Sequence, residues 1–271
     1  NYQVAEATYV RASWGQGFRF PSMAELFIST NQNGLEIYPN PDLKAESGWS
    51  AEIGVKQGLK FGDWMGYLDV AGFLMQYDDM MEFSFGGWGT KDDPMAGIGF
   101  KSINVGETQI SGIEISLSGQ GKINDNVTVN ILAGYTYMNP ISLSPDKVYG
   151  YDIEFGTDTI DEYTYNNSSS DSTILKYRYQ HIAKIDVEIA YKKLSIGGSF
   201  RYNSFMKNID KIFTSPLIND GPWDLDPDIP GAEFEGIPGI NAAREKFKNG
   251  DMIIDARLGY QFNDMIRFGF I

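Results

Sequence analysis

Three stretches of this chain alternate apolar and polar residues with a period of two, and four long polar connections alternate with four very short turns. In Val127 to Tyr137, the residues Val127, Val129, Ile131, Ala133, Tyr135 and Tyr137 project to one side of an extended strand. Thr128, Asn130, Gly134 and Thr136 project to the other. From Ile174 to Ala190 the odd positions are Tyr177, Tyr179, His181, Ala183, Ile185, Val187 and Ile189, while the even ones include Lys176, Arg178, Gln180, Lys184, Asp186 and Glu188. A soluble sheet would turn the apolar side to a core and the charged side to water. A membrane barrel turns the apolar side to lipid and the charged side to a wet lumen. The lengths of the connections decide between them.

Nine strands are predicted, at 4–14, 46–59, 63–79, 99–120, 126–139, 174–190, 193–207, 250–262 and 265–271. The connections 15–45, 80–98, 140–173 and 208–249 are long, whereas those at Lys60–Gly62, Gly121–Asp125, Tyr191–Lys192 and Asn263–Asp264 are tight. Several strands far exceed the ~5–6 residues of globular sheets and cover the ~9–11 that cross a bilayer at a tilt. Short turns at one end and long loops at the other are the outer-membrane pattern. Lipid-facing positions then include Ile53, Val55, Ile113, Ile115, Ile196, Ile254 and Leu258. Strand 63–79 is apolar on both faces, and 99–120 loses its outward apolar set at Glu107, Gln109 and Ser111, as expected of a strand standing above the bilayer. Burial of Val129, Ile185 and Leu258 together in a sealed interior would contradict this facing.

Composition agrees. Aromatics make up 14 %, with 16 Tyr and 17 Phe, enough for girdles at two membrane interfaces. No apolar run approaches the ~18–20 residues of a membrane helix, and a mean hydropathy of -0.29 is compatible with a barrel, where only alternate residues meet lipid. The absence of Cys excludes disulfides and thiolate metal sites. A net charge of -14 argues against a nucleic-acid partner. An antiparallel barrel closes only on an even number of strands, so nine predict a piece of a larger barrel.

Two motifs are specific. Gly17-Phe-Arg-Phe-Pro-Ser22, with Glu25-Leu-Phe27, follows the first strand, and Asn40-Pro-Asp-Leu-Lys-Ala-Glu46 leads into the strand containing Glu52-Ile-Gly54. With Asn104-Val-Gly-Glu107 and Ile110-Ser-Gly-Ile-Glu114, this order and spacing resembles the barrel of TonB-dependent outer-membrane receptors, with a Bacteroidota-like cast. Ala45 departs from the family's usual Pro. The resemblance implies an all-β, antiparallel transmembrane barrel of 22 strands, of which this chain is the C-terminal portion, with the plug domain and last strand outside it. It also implies active uptake of a scarce nutrient, bound by extracellular loops and plug and energised through the TonB complex. Lipid and lipopolysaccharide would surround the barrel, and a surface lipoprotein could partner it; no cofactor and no enzymatic activity are implied. A passive porin and a soluble glycan-binding β-sandwich are the alternatives.

Candidate sites follow from these placements. Arg11, Glu52, Lys56, Glu114, Arg178, Lys184, Arg201 and Arg257 are expected to face the lumen and meet the plug, because enclosed charges require partners. Phe18, Arg19 and Pro21 are expected to shape the start of a loop. The single histidine, His181, falls on the lipid side as a girdle residue, which speaks against a catalytic triad. Asp224, Asp226, Asp228 and Glu235 fall at positions 1, 3, 5 and 12 of a calcium loop, but Ile229 and Pro230 stand where that loop needs a glycine turn, so a solvated acidic loop is expected. Trp88, Tyr151, Tyr163, Tyr165 and Trp223 in the long loops are the ligand-stacking candidates. The acids of 140–173 and 208–249 favour a neutral or cationic ligand, a glycan or a peptide.

Overall fold

The computed structural model describes residues 1–32, 35–90, 92–93, 97–153, 160–171, 173–214, 239–263 and 265–270. In chain order the strands are β1 (Tyr2–Ala5), β2 (Thr8–Arg19), β3 (Thr30–Gln32), β4 (Leu35–Tyr38), β5 (Glu46–Phe61), β6 (Trp64–Asp78), β7 (Met81–Gly87) and β8 (Ile98–Asn104). They continue as β9 (Thr108–Asn124), β10 (Val127–Ser142), β11 (Gly150–Ile153), β12 (Ile160–Tyr163), β13 (His181–Tyr191), β14 (Leu194–Asn203), β15 (Asp251–Gln261) and β16 (Arg267–Phe270). Three short helices, α1 (Met23–Phe27), α2 (Tyr165–Ser168) and α3 (Ile240–Lys246), lie in the long connections.

Ten strands form one antiparallel sheet in the order β1-β2-β5-β6-β9-β10-β13-β14-β15-β16. Among the described residues nothing pairs β1 with β16, so the sheet has two open edges. Sequential neighbours pair throughout, and every tight turn lies at one end. Directly opposed residues share a face, so register tests the predicted facing. Val10, Val55, Val70, Ile115, Tyr135, Ala183, Tyr202 and Met252 stand in one row across eight strands. The next row, on the other face, is Tyr9, Lys56, Asp69, Ser116, Gly134, Lys184, Arg201 and Ile253. A slip of one residue anywhere would send a charged set into the apolar face.

Among the described residues no protein layer covers the middle of the apolar face: Ile185 is 44 % and Leu258 47 % exposed. Val129 is buried, opposite Gly121 near the turn end. There Trp64 lies across Gly66 and Gly119, where any Cβ would collide with its indole. Aromatics mark both ends of this face. Phe61, Trp64, Tyr191 and Tyr260 stand near the turns. Tyr135, Tyr137 and His181 cluster toward the loops, with the Tyr135 hydroxyl 2.8 Å from His181 Nδ1.

The long connections carry their own structure. A four-stranded sheet, β3-β4-β8-β7, and the β11-β12 hairpin form a layer at the loop end. Its core is Met80, Ile103, Val105, Tyr165 and Leu175, packed against Tyr77 and Ile110. Those two lie on the polar face of the large sheet by even steps from Asp69 and Glu114, so the layer folds over the polar face.

Three strand predictions need correction. The predicted strand 99–120 is two strands in different sheets, broken at Gly106, whose φ of +102° reverses the chain. The alternation runs through the break because Ile103 and Val105 are buried in the loop core rather than set against lipid. The predicted strand 174–190 begins only at His181. Before it, Tyr177 takes φ +58° and Leu175 and Lys176 are buried in the loop layer. The first predicted strand is a hairpin, β1 and β2, turning at Ala7 with φ +56°. The large sheet therefore has ten strands, not nine, and the argument from odd parity falls.

In lipid vesicles, Ile185→Arg should destabilise the barrel by about 2–4 kcal/mol in denaturant unfolding, because it places a charge on the lipid face. Lys184→Arg, one residue away on the other face, should be silent. Equal tolerance of both changes would show the facing to be wrong.

Candidate functional site

The sequence motifs work as ties between the barrel rim and the loop layer. Ser22 caps α1, with Glu25 reciprocating in a capping box. Arg19 donates to Glu25 at 2.8 Å and holds its carboxyl down at about 2. Asn40 donates to the Ser102 carbonyl at 2.8 Å. Asn104 accepts from the Lys44 amide at 2.9 Å and donates to the carbonyls of Lys44 (3.1 Å) and Asp79 (2.8 Å). Glu46 accepts from the Met81 amide at 2.9 Å. These bonds replace backbone partners that the loops would otherwise lack.

They also assemble a cleft of about 450 Å³ lined by Asn40, Asp42, Lys44, Asp79, Trp88, Lys101, Ile103, Asn104, Lys147, Val148, Tyr149, Gly150 and Tyr151. Trp88 follows β7; its indole N–H donates to the Ser84 carbonyl at 3.3 Å and its amide to Gly97 at 3.0 Å. Gly150 lies against the ring, where any Cβ would collide with it. Tyr163 packs on Trp88 with centroids 5.3 Å apart, and its hydroxyl accepts from the Gly87 amide at 3.1 Å. Lys101, opposite Ser84 in the β7-β8 pair, places its ammonium 5.8 Å from the Trp88 centroid. Burial lowers its pKa, with Asp42 opposing that shift. Lys147 pairs with Asp79 at 3.0 Å.

Beneath the cleft lies a buried polar knot. Lys176 and Asp210 pair at 2.5 Å, each side chain 1 % exposed. Tyr177 donates to Asp210 at 2.6 Å, and Lys176 also donates to Ser84 and Ser168 at 3.3 Å. The knot joins β7, α2 and the segment after β14. Beside it Glu82 is half-buried, and desolvation pushes its carboxyl up to about 7 against the pull of Lys176 and Arg178.

The predicted candidates separate into groups. Trp88 and Tyr151 meet in the cleft, and Tyr163 backs Trp88. Tyr165 is corrected: it is 0 % exposed, part of the loop core, and its hydroxyl accepts from the Lys176 amide. Trp223 and the acidic set Asp224, Asp226, Asp228 and Glu235 lie outside the described residues. Among the described residues no cluster of metal-ligating side chains occurs. Arg11, Glu52, Lys56, Glu114, Lys184, Arg201 and Arg257 share the polar face. There Arg11 bridges Glu52 (2.7 Å) and Asp69, Arg257 grips Asp186 through two 2.8 Å bonds, and Lys56 stands 3.6 Å from the Tyr67 centroid. Arg178 is corrected: it belongs to the loop layer near Glu82, not to a barrel strand. Sequence reasoning missed Tyr149 and the three lysines of the cleft. Lys44 lay inside a recognised motif, but nothing local marks Lys101 or Lys147.

This fold and rim are those of a barrel receptor. The family described as "TonB dependent receptor-like, beta-barrel" matches residues 1–270, and the chain belongs to it. It is 25 % identical over 210 residues to the hemoglobin and hemoglobin-haptoglobin-binding protein A of Haemophilus influenzae, covering 66 % of this chain and 19 % of that protein. Among solved structures it resembles the Serratia marcescens hemophore receptor HasR, with a TM-score of 0.55 and 15 % identity over 97 % of this chain and 33 % of that one. The copper transporter OprC gives 0.54 and 14 % identity, covering 98 % of this chain and 31 % of that one. The ferric enterobactin receptor of Pseudomonas aeruginosa gives 0.52 and 14 % identity, covering 99 % and 32 %. The chain thus spans about a third of the length of those structures, and at these identities they establish the fold.

Lys176→Met should leave Asp210 buried without its cation and cost the loop layer about 3–5 kcal/mol. Limited proteolysis should then cut the loops while the barrel stays intact; unchanged loop protection would contradict the role of the pair. Glu82 gives a pH signature. Its folded value lies above its ordinary 4.5, so its contribution is greatest below that pH and is lost as pH rises through about 7. Amide exchange in β7 should accelerate over that window, and Glu82→Gln should remove the trend.

Proposed function

We propose that this chain is the C-terminal portion of the 22-stranded barrel of a TonB-dependent importer, with its loops extracellular and its polar face turned to a plug domain. The receptor takes up a scarce nutrient across the outer membrane. Ligand binds the loop layer and plug, and the TonB complex supplies the energy through the plug. Lipid and lipopolysaccharide surround the apolar face, and a surface lipoprotein could cover the loops. The Bacteroidota-like cast of the motifs belongs to the same reading, as does a purely transporting, non-enzymatic role. One observation carries it: an exposed apolar face and an ion-paired polar face in continuous register, with every long loop at one end. The copper, hemophore and siderophore receptors that share the fold support it.

The test is uptake by cells expressing the full-length receptor as their sole route for a limiting nutrient. Accumulation should stop when TonB is deleted or the proton gradient is collapsed. Uptake that survives both would instead make the protein a passive porin, and recovery in the aqueous phase without detergent would make it a soluble domain.

A further inference from the structure

Two acids in the loop layer share one buried base. Lys176 spends its three ammonium protons inside the knot, on Asp210 at 2.5 Å and on Ser84 and Ser168 at 3.3 Å each. Glu82 stands beside that pair and, among the described residues, forms no ion pair of its own. It faces the Tyr165 hydroxyl from α2, Lys176 and Arg178 from the segment before β13, and Asp210 from the segment after β14. Tyr149 and Tyr177 also lie within its field. A second negative charge would meet Asp210 with no ammonium proton left to bind it, so the site favours the protonated carboxyl. The knot also ties two long connections together. At the start of 208–249, Ile209 donates to the Ser170 hydroxyl at 3.0 Å and Asp210 bridges Ser169. Tyr177 donates its hydroxyl to Asp210 at 2.6 Å and its amide to the Asn208 carbonyl at 2.9 Å, bonds that hold it at φ +58°, a strained backbone for a residue with a side chain. In 80–98, the Ser84 hydroxyl joins Asp210 at 3.2 Å while the Ser84 carbonyl accepts the Trp88 indole N–H at 3.3 Å. Ser84 thus stands between the knot and the cleft wall.

We propose that the knot is a proton-operated latch between these two connections: with Glu82 protonated it holds the chain at 208–210 against β7, and loss of that proton to bulk water loosens the hold and, through Ser84, shifts Trp88 at the cleft wall. The strain at Tyr177 gives the loosened segment somewhere to relax. The hold is fullest below the ordinary carboxyl value of 4.5 and is lost as pH rises through about 7. One proton therefore governs two loops that are far apart in sequence. The latch needs only the loop layer and is independent of the transport reading.

The test uses the full-length receptor in detergent micelles, labelled with 5-fluorotryptophan and titrated from about pH 5.5 to about pH 8.5. Amide exchange over 206–210, corrected for base catalysis, should lose at least about tenfold in protection across that range. The Trp88 fluorine resonance, assigned by its loss in Trp88→Phe, should move with the same midpoint. Glu82→Gln should hold both readouts flat at their acid-side values. Ser84→Ala should keep the change in exchange and abolish the response of Trp88. Tyr165→Phe removes a hydrogen bond that favours the carboxylate, so it should raise the midpoint; this variant decides the matter if Glu82→Gln fails to fold. Protection over 206–210 that ignores pH, that still falls in Glu82→Gln, or that keeps its midpoint in Tyr165→Phe would overturn the latch. A Trp88 resonance that titrates alike with and without the Ser84 hydroxyl would overturn its link to the cleft. A receptor that imports its nutrient in a TonB-dependent way while its loops ignore pH loses only this inference. One whose latch titrates while its uptake ignores TonB loses only the transport reading.

Discussion

Everything in this chain depends on the backbone hydrogen bonds of the large sheet. A bilayer offers no partner to an unpaired amide, so only strands bonded to neighbours along their full length can cross it. The continuous registers from β2 to β15 meet that demand. Once register is fixed, side-chain facing follows without further choice. The same pairing that satisfies the amides puts Val55, Ile115 and Met252 on one surface and Lys56, Asp69 and Lys184 on the other.

The polar surface then needs its own compensation. Arg11 between Glu52 and Asp69, and Arg257 on Asp186, pair charges within the wall, across neighbouring or next-nearest strands. Such pairs offset opposite charges within the wall itself. The loop layer solves a different problem. It has a small apolar core and is held mainly by side-chain bonds to backbone, with a fully buried ion pair at its base. The motif residues Asn40, Glu46 and Asn104 all make such ties, which explains why they stand at the strand ends rather than in the wall.

Much of this was legible in the sequence. The two-residue alternation placed Ile185 and Lys184 on opposite faces, as the registers have them, and loop length located the turn end. It misled where loop residues mimicked strand. Tyr177 and Tyr179 continue the parity of His181, but a left-handed backbone at Tyr177 breaks the strand there. Ile103 and Val105 continue the outward set of β9, but they fill a loop core. An apolar residue at the right parity looks the same whether lipid or protein covers it.

The sequence by itself determined the barrel wall, because each strand's facing is a local property of alternate residues in an extended chain. It also determined the class of receptor, through short motifs at fixed spacing. Only the tertiary structure decided the cleft. Lys44, Trp88, Lys101 and Tyr149 lie in four separate segments, and what unites them is a set of cross-loop hydrogen bonds and one glycine's missing side chain. Contacts of that kind depend on how loops cross one another in space, for which no periodicity exists along the chain.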